Sequence, residues 1–295
     1  MNLNINDRSE SFLGQQSMDI EVKNIDASNP LSVDEVNRLI NLLNKYSVIY
    51  LSGQKLTDKQ FGEFSAQFGK LKVSNLGRYL VPGFPELNIV SNIQDNGRYI
   101  GNPDAGVLWH SDSAYTKIPD MYTFLYSLEV PKKDGISLGC TSFANTIAAY
   151  DALPSVAKVK LSGLMAVQDL RSQENKKKSV GIHRRGEISS HQEKIGLSAT
   201  HPVVRTHPIT KKKCLYVSEG HTSEIVGMSA KESNELLDYL VKHIAQPQFV
   251  YRHQWEAGDI LIWDNVATVH RADFDYVLPQ RRLMHRTTTI GTQPY

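Results

Sequence analysis

Cysteine is nearly missing from this chain, which has two, Cys140 and Cys214, in 295 residues. That excludes a disulfide framework and a cysteine-built zinc site. Both thiols sit in apolar, strand-like stretches, where buried, inert cysteines are expected. No apolar run of roughly 18 residues occurs, so no membrane span is predicted. The opening MNLNINDRSESFLGQQS has neither a basic n-region nor an apolar h-region, so a cytoplasmic protein is expected. An excess of one charge is also absent. Lys+Arg number 33 against 31 Asp+Glu, a formal +2, which gives no electrostatic ground for a nucleic-acid or membrane-surface partner. No G-x-G-x-x-G or G-x-x-x-x-G-K-[ST] string and no internal repeat is present, so nucleotide-phosphate chemistry and solenoid folds lack support.

What remains is a soluble globular composition. Hydrophobic residues make up 40% and charged residues 22%, which excludes a disordered or fibrous chain. Residues 1–16 are polar and aperiodic and read as a loose tail. Residues 17–295 read as one domain.

Three helices carry start signals. Ser32-Val33-Asp34-Glu35 fits a capping box ahead of Val36, Leu39, Ile40 and Leu43. Thr57-Asp58-Lys59-Gln60 opens a second helix, with Phe61, Phe64 and Phe68 inward and Gly69 as its stop. Ser229-Ala230-Lys231-Glu232 caps a third, striped by Leu236, Leu237, Leu240, Val241 and Ile244. Strands are predicted at 47–51, 87–91, 121–128, 214–218, 248–255, 259–263 and 283–290, all rich in β-branched and aromatic residues between turn formers. Many strands without βαβ alternation predict a mainly β fold, a sandwich or barrel with flanking helices. Residues 171–198, with Lys176-Lys177-Lys178 and Arg184-Arg185, form a charged insertion expected to be solvated or to act as a lid.

Chemistry concentrates around Trp109-His110-Ser111-Asp112. His110 and Asp112 stand two residues apart, so in an extended segment both side chains emerge on one side. The string alone is weak and needs a distant second histidine. His270, at the end of GDILIWDNVATVH, is the candidate. Two imidazoles and one carboxylate occupy one face of an octahedron and leave positions open, a set that suits Fe(II) and its use of dioxygen. Arg282 and Arg286 follow on one parity of a strand, about 13 Å apart at most. Two guanidinium forks facing one cavity can hold two separate acidic groups. Arg281 and His285 take the opposite parity and are expected to face away.

The series WHSD, GCTSFANTIAAYDALP, HPVVRTHP, LYVSEG, YRHQW with GDILIWDN and its following histidine, and LPQRRLMHRTTTIG resembles the taurine / 2,4-dichlorophenoxyacetate dioxygenase (TauD/TfdA) family. The resemblance runs from about residue 30 to the C-terminus. It implies a double-stranded β-helix (jelly-roll, cupin-like) core, and Fe(II), 2-oxoglutarate and O2 as cofactor and cosubstrates. It implies His110, Asp112 and His270 as iron ligands, Thr141 and Arg282 as holders of the 2-oxoglutarate carboxylate, and Arg286 near the substrate's acidic group. The implied activity is C–H hydroxylation of a small anionic molecule, a sulfonate, carboxylate or phosphonate, with succinate and CO2 as coproducts. A desaturase or cyclase using the same cofactor is the alternative within the class, and a non-catalytic metal-binding jelly-roll the alternative outside it. Related halogenases leave the carboxylate corner empty for chloride, so Asp112 favours hydroxylation. Family members are often dimers or tetramers, which makes a homo-oligomer an expectation from resemblance.

The substrate side departs from the taurine enzyme. Phe68-Gly69-Lys70-Leu71 continues as Lys72-Val73-Ser74-Asn75 without that enzyme's histidine, His221 replaces its aromatic residue, and Gly106 replaces its asparagine. Taurine is therefore not the expected substrate. Ser74 and His221 become specificity candidates, with a structural role open for each, and Tyr115 is expected to line the pocket. His201 and His207 read as structural, and His183 and His191 as solvated.

Overall fold

The computed structural model describes residues 5–6, 18–74, 77–179 and 197–295. An eight-stranded sheet runs in the order Ile5–Asn6, Asp19–Val22, Val48–Leu51, Ile260–Asp264, Asp120–Glu129, Leu283–Ile290, Phe84–Ser91, Leu80–Val81. Its pairings are antiparallel except for Asp19–Val22 against Val48–Leu51. A three-stranded sheet, Val250–His253, Thr141–Asn145 and Thr268–Ala272, forms the second layer. Two such antiparallel layers make the jelly-roll core that the sequence motifs imply.

Strand periodicity explains how the layers bind. In register, Ile262 lies opposite both Phe124 and Ile49, and Leu261 lies opposite Leu125. Alternate side chains leave opposite faces of a strand. Ile49, Phe124, Tyr126, Ile260 and Ile262 accordingly meet the helices through Leu39, Leu43, Phe61 and Phe64. Val48, Leu125, Leu261, Trp263 and Met284 turn inward to meet Phe143 of the smaller sheet and Trp255, just beyond its strand Val250–His253. Both sets are buried, so these strands read as nearly continuous apolar runs rather than alternating ones.

The three capping boxes form as their sequences require. Ser32, Thr57 and Ser229 each accept from the N3 backbone, and Glu35, Gln60 and Glu232 reach back. Each cap is worth about 1 kcal/mol. Helix Val33–Tyr46 and helix Asp58–Ala66 cover the large sheet, while helix Ala230–Ile244 buries Leu237, Leu240 and Ile244 against the smaller layer.

Several expectations need adjustment. The predicted strand at 248–255 begins only at Val250, because Pro247 starts a 3-10 turn, Pro247–Phe249. The one at 214–218 ends at Leu215. The insertion at 171–198 is not a uniformly solvated loop. Its first part forms the helix Leu170–Ser179, in which Lys177 is 2% exposed. Residues 180–196, with His183 and His191, lie outside the described residues, as does the expected tail 1–16 apart from Ile5–Asn6. Among the described residues no helix is long and apolar enough to cross a membrane.

Candidate active site

His110 and His270 face each other across an isolated antiparallel bridge. The His110 amide donates to the His270 carbonyl at 3.0 Å, and the His270 amide to the His110 carbonyl at 2.8 Å. The two imidazoles are thus paired by backbone, their centroids 4.1 Å apart. His110 Nδ1 contacts the Leu108 carbonyl at 2.8 Å. That carbonyl can only accept, so the proton sits on Nδ1 and the Nε2 lone pair stays available. His270 is packed between Phe143 and Trp263.

Asp112 completes the group. Its Oδ1 lies 3.6 Å from His110 Nε2 and 3.7 Å from His270 Nε2. One ligand atom from each of the three residues falls within 4.8 Å of the others, and all three residues are buried. Two nitrogens and one carboxylate oxygen converging on one point are a donor set for a single divalent ion, with Fe(II) well suited. Protonation states agree. Burial holds the His110 imidazole below 6.5, and burial together with His110 holds His270 further below, so both are neutral and can present lone pairs to a metal. Burial alone would raise the Asp112 carboxyl, but Arg286 and the two imidazoles outweigh it and keep the group ionised.

Asp112 is oriented by residues that the motif search passed over. Thr123 donates to its Oδ2 at 2.6 Å. Asn265 accepts from the Asp112 amide at 3.2 Å and donates through Nδ2 to Thr123 at 2.8 Å. Asn265 follows directly on WD in the predicted strand motif, the only sequence cue to its part.

Beside this triad lies a cavity lined by Val90, Leu125, Thr141, Trp263 and Arg282. Trp255 Nε1 donates to Thr141 Oγ1 at 3.0 Å, fixing that hydroxyl. Arg282 is only 3% exposed, its Nε has no hydrogen-bond partner, and no carboxylate pairs with it among the described residues. An isolated buried charge is costly, so this guanidinium fits a cavity that receives an anion. Gly139 permits the arrangement. It adopts φ +69°, and a Cβ there would meet the Tyr276 ring at 2.8 Å and Arg282 Nε at 3.3 Å.

Arg286 reaches the triad as well, its Nη2 2.8 Å from Asp112 Oδ1. It borders a second cavity of about 100 Å³ together with Ser74, Tyr115 and His221. All three specificity candidates therefore line the pocket. Ser74 donates to Asn88 Oδ1, and His221 packs edge-on against His110 and Tyr115. Lys72, which was not singled out from the sequence, lies on the same wall and pairs with Asp120 at 2.6 Å.

The remaining readings hold. Arg281 turns outward to Glu129, and His285, though buried, turns away from the triad to Asp58. His201 contacts the Thr116 carbonyl and His207 the Asp264 carboxylate, both in structural positions. Both cysteines are free and buried.

A jelly-roll whose mouth holds a His-Asp-His group beside an anion-seeking arginine has the architecture of the 2-oxoglutarate oxygenases, and the relatives of this chain agree. A match to the taurine catabolism dioxygenase TauD, TfdA family spans residues 10–288. The chain belongs to that family. It is 32% identical over 296 residues to the alpha-ketoglutarate-dependent 2,4-dichlorophenoxyacetate dioxygenase of Burkholderia sp. (strain RASC), covering 95% of this chain and 92% of that one. It is 30% identical to the pentalenolactone F synthase of Streptomyces arenae, covering 85% of each. Among solved structures, AAD-2 in complex with Mn(II) and N-oxalylglycine superposes with TM-score 0.80 at 31% identity, covering 100% of this chain and 99% of that one. The protein is an alpha-ketoglutarate-dependent dioxygenase using Fe(II), 2-oxoglutarate and O2.

Proposed function

We propose that this enzyme hydroxylates a C–H bond of a small anionic organic substrate, of sulfonate, carboxylate or phosphonate type, with residues 17–295 acting as one catalytic domain. His110, Asp112 and His270 hold the iron. Thr141 and Arg282 hold the 2-oxoglutarate carboxylate, and Arg286 holds the acidic group of the substrate, with Ser74, His221 and Tyr115 shaping the rest of that wall.

The observation that carries this reading is the buried, unpaired Arg282 guanidinium beside three converging ligand atoms. When bound, iron, 2-oxoglutarate and O2 supply oxidising power by coupling decarboxylation to succinate and CO2 with oxygen insertion into a C–H bond. The chain supplies position and dryness. Thr123 occupies Asp112 Oδ2, which leaves Oδ1 to face the centre of the triad. The neutral imidazoles present lone pairs without first losing a proton. Val90, Leu125 and Trp263 exclude water from the cosubstrate side, where the Arg282 charge then acts at low dielectric.

The test is an anaerobic titration of metal-free protein with Fe(II) and 2-oxoglutarate, followed by the visible metal-to-ligand charge-transfer band. The band is expected in the wild type, absent in His110→Ala and Asp112→Ala, and weakened in Arg282→Ala. Its absence from folded wild-type protein sinks the proposal. Succinate release under air, measured with candidate acids, then ranks substrates.

A further inference from the structure

The helix Leu170–Ser179 has almost no apolar periodicity, yet it turns one face into the core. Leu170, Gln173 and Lys177 are its buried residues, and all three line the cavity that Arg286 borders. Their spacing places them on one stripe. Polar residues on a buried stripe require partners. Gln173 is 5% exposed as a residue, and its carboxamide makes no hydrogen bond among the described residues and opens on the cavity. Room for it comes from Gly220, where a Cβ would stand 3.4 Å from Gln173 Nε2, 3.2 Å from the Trp109 carbonyl and 3.4 Å from His110 Cβ. The amide therefore sits alongside the backbone that carries His110.

A second carboxamide lines the same cavity. Asn102 is 6% exposed, and its Oδ1 is fully buried with no hydrogen-bond partner among the described residues. Lys177 adds a buried ammonium whose charge is balanced by Asp104, with Nζ 3.6 Å from Oδ2 and 3.2 Å from the Asp104 carbonyl. Buried polar groups in native proteins are almost always satisfied, and the exceptions mark bound ligands or water. Two unsatisfied amides opening on one small cavity, with a charge-balanced lysine beside them, do not suit an aryl or alkyl tail.

We propose that Gln173 and Asn102 are specificity residues that hold an oxygen-bearing polar head, a hydroxyl or carboxylate, at the end of the substrate remote from its Arg286-bound acid. The substrate is then a compact bifunctional molecule, polar at both ends. This rests on the reading of the Arg286 cavity as the substrate site.

The test uses three sulfonates matched in length: propane-1-sulfonate, 3-hydroxypropane-1-sulfonate and 3-sulfopropanoate. Their binding is measured by calorimetry to protein loaded with Mn(II) and N-oxalylglycine, which does not turn over, and to metal-free protein. In the wild type the two oxygen-bearing probes are expected to bind at least about 10-fold more tightly than propane-1-sulfonate, the scale set by one hydrogen bond to a buried group. Gln173→Leu is expected to collapse that gap to under about threefold while leaving propane-1-sulfonate unchanged. The exposed control Lys178→Gln keeps the gap. Asn102→Leu is a second arm should Gln173→Leu fail to fold.

Equal or tighter binding of propane-1-sulfonate, a gap that survives both leucine variants, or no binding of any probe overturns the proposal. The charge-transfer titration reports separately on the triad and Arg282. Loss of that band removes the oxygenase reading, while the ranking of probes on metal-free protein still decides the role of Gln173 and Asn102.

Discussion

Arg286 Nη2 stands 2.8 Å from Asp112 Oδ1, the same oxygen that faces the His110 and His270 Nε2 atoms. One carboxylate oxygen is thus shared between a cation on the cavity wall and the centre of the triad. Without a metal, the guanidinium is the strongest counter-charge that Asp112 has. A divalent ion held by the triad would take over part of that task.

Arg286→Gln is therefore expected to destabilise the metal-free protein by about 3 kcal/mol, the scale for removing one partner of a buried ion pair. Mn(II) should recover most of the loss, because it restores positive charge at Asp112. Thermal melts with and without Mn(II) check this. A metal-induced shift no larger in the variant than in the wild type would contradict it.

Acid should weaken the metal-free fold in a defined direction. His110, His201, His270 and His285 are all held below 6.5 in the folded chain, with burial the leading cause for each. The unfolded chain takes up protons at 6.5 where the folded one does not. Stability is therefore fully present above 6.5 and is lost as pH falls from there through the lowered folded values. Asp112 is held below 3.8, so its contribution is also present above that value and is lost as pH falls further. Urea unfolding between about pH 8 and pH 5.5 should show midpoints that decline below neutrality, with a shallower decline in His270→Gln. A flat profile would refute the assignment.

Thr123→Val removes the donor to Asp112 Oδ2 and also the acceptor for Asn265 Nδ2. The expected cost is about 1–3 kcal/mol of stability for the buried groups left unpaired. Metal affinity should weaken by roughly 10–100-fold, the usual effect of losing a group that orients a ligand. Thr123→Ser keeps the hydroxyl and should recover most of both, as read by denaturation and competitive metal titration.

The cysteines should be silent. Burial pushes the Cys214 thiol up to about 12 and raises that of Cys140 as well. At about pH 8 neither is expected to react with a thiol reagent until the chain unfolds, when both become titratable. Rapid labelling of native protein would show that one of them is accessible.

Much of the fold could be read from pattern, because capping boxes and aromatic strands act locally. Ser32, Thr57 and Ser229 open their helices as their sequences require, and the His110–Asp112 spacing, weak alone, marks the triad once His270 is set beside it. What escaped notice depends on tertiary company. Thr141–Asn145 is buried along nearly its whole length, so it shows no alternation to mark it as a strand. Asn265 acts only through Asp112 and Thr123, which stand far from it in sequence. Lys177 sits in a lysine run that resembles a solvated face. Only the helix, with Leu170, Gln173 and Lys177 on one stripe, turns that residue inward.

The backbone bridge between His110 and His270 separates the reactive centre from part of the cavity wall. A pair of amide–carbonyl bonds joins the two backbones directly, and of the described residues in the long stretch of chain between them only a few, among them Phe143, Trp263 and His221, touch the two rings. Gln173 and Lys177 lie in that stretch and make no ring contact with either histidine, so their side chains can be exchanged with the backbone bridge in place. For protein engineering, this makes the helix Leu170–Ser179 the place to diversify, with the paired histidines and the Gly220–His221 segment that packs on His110 left alone.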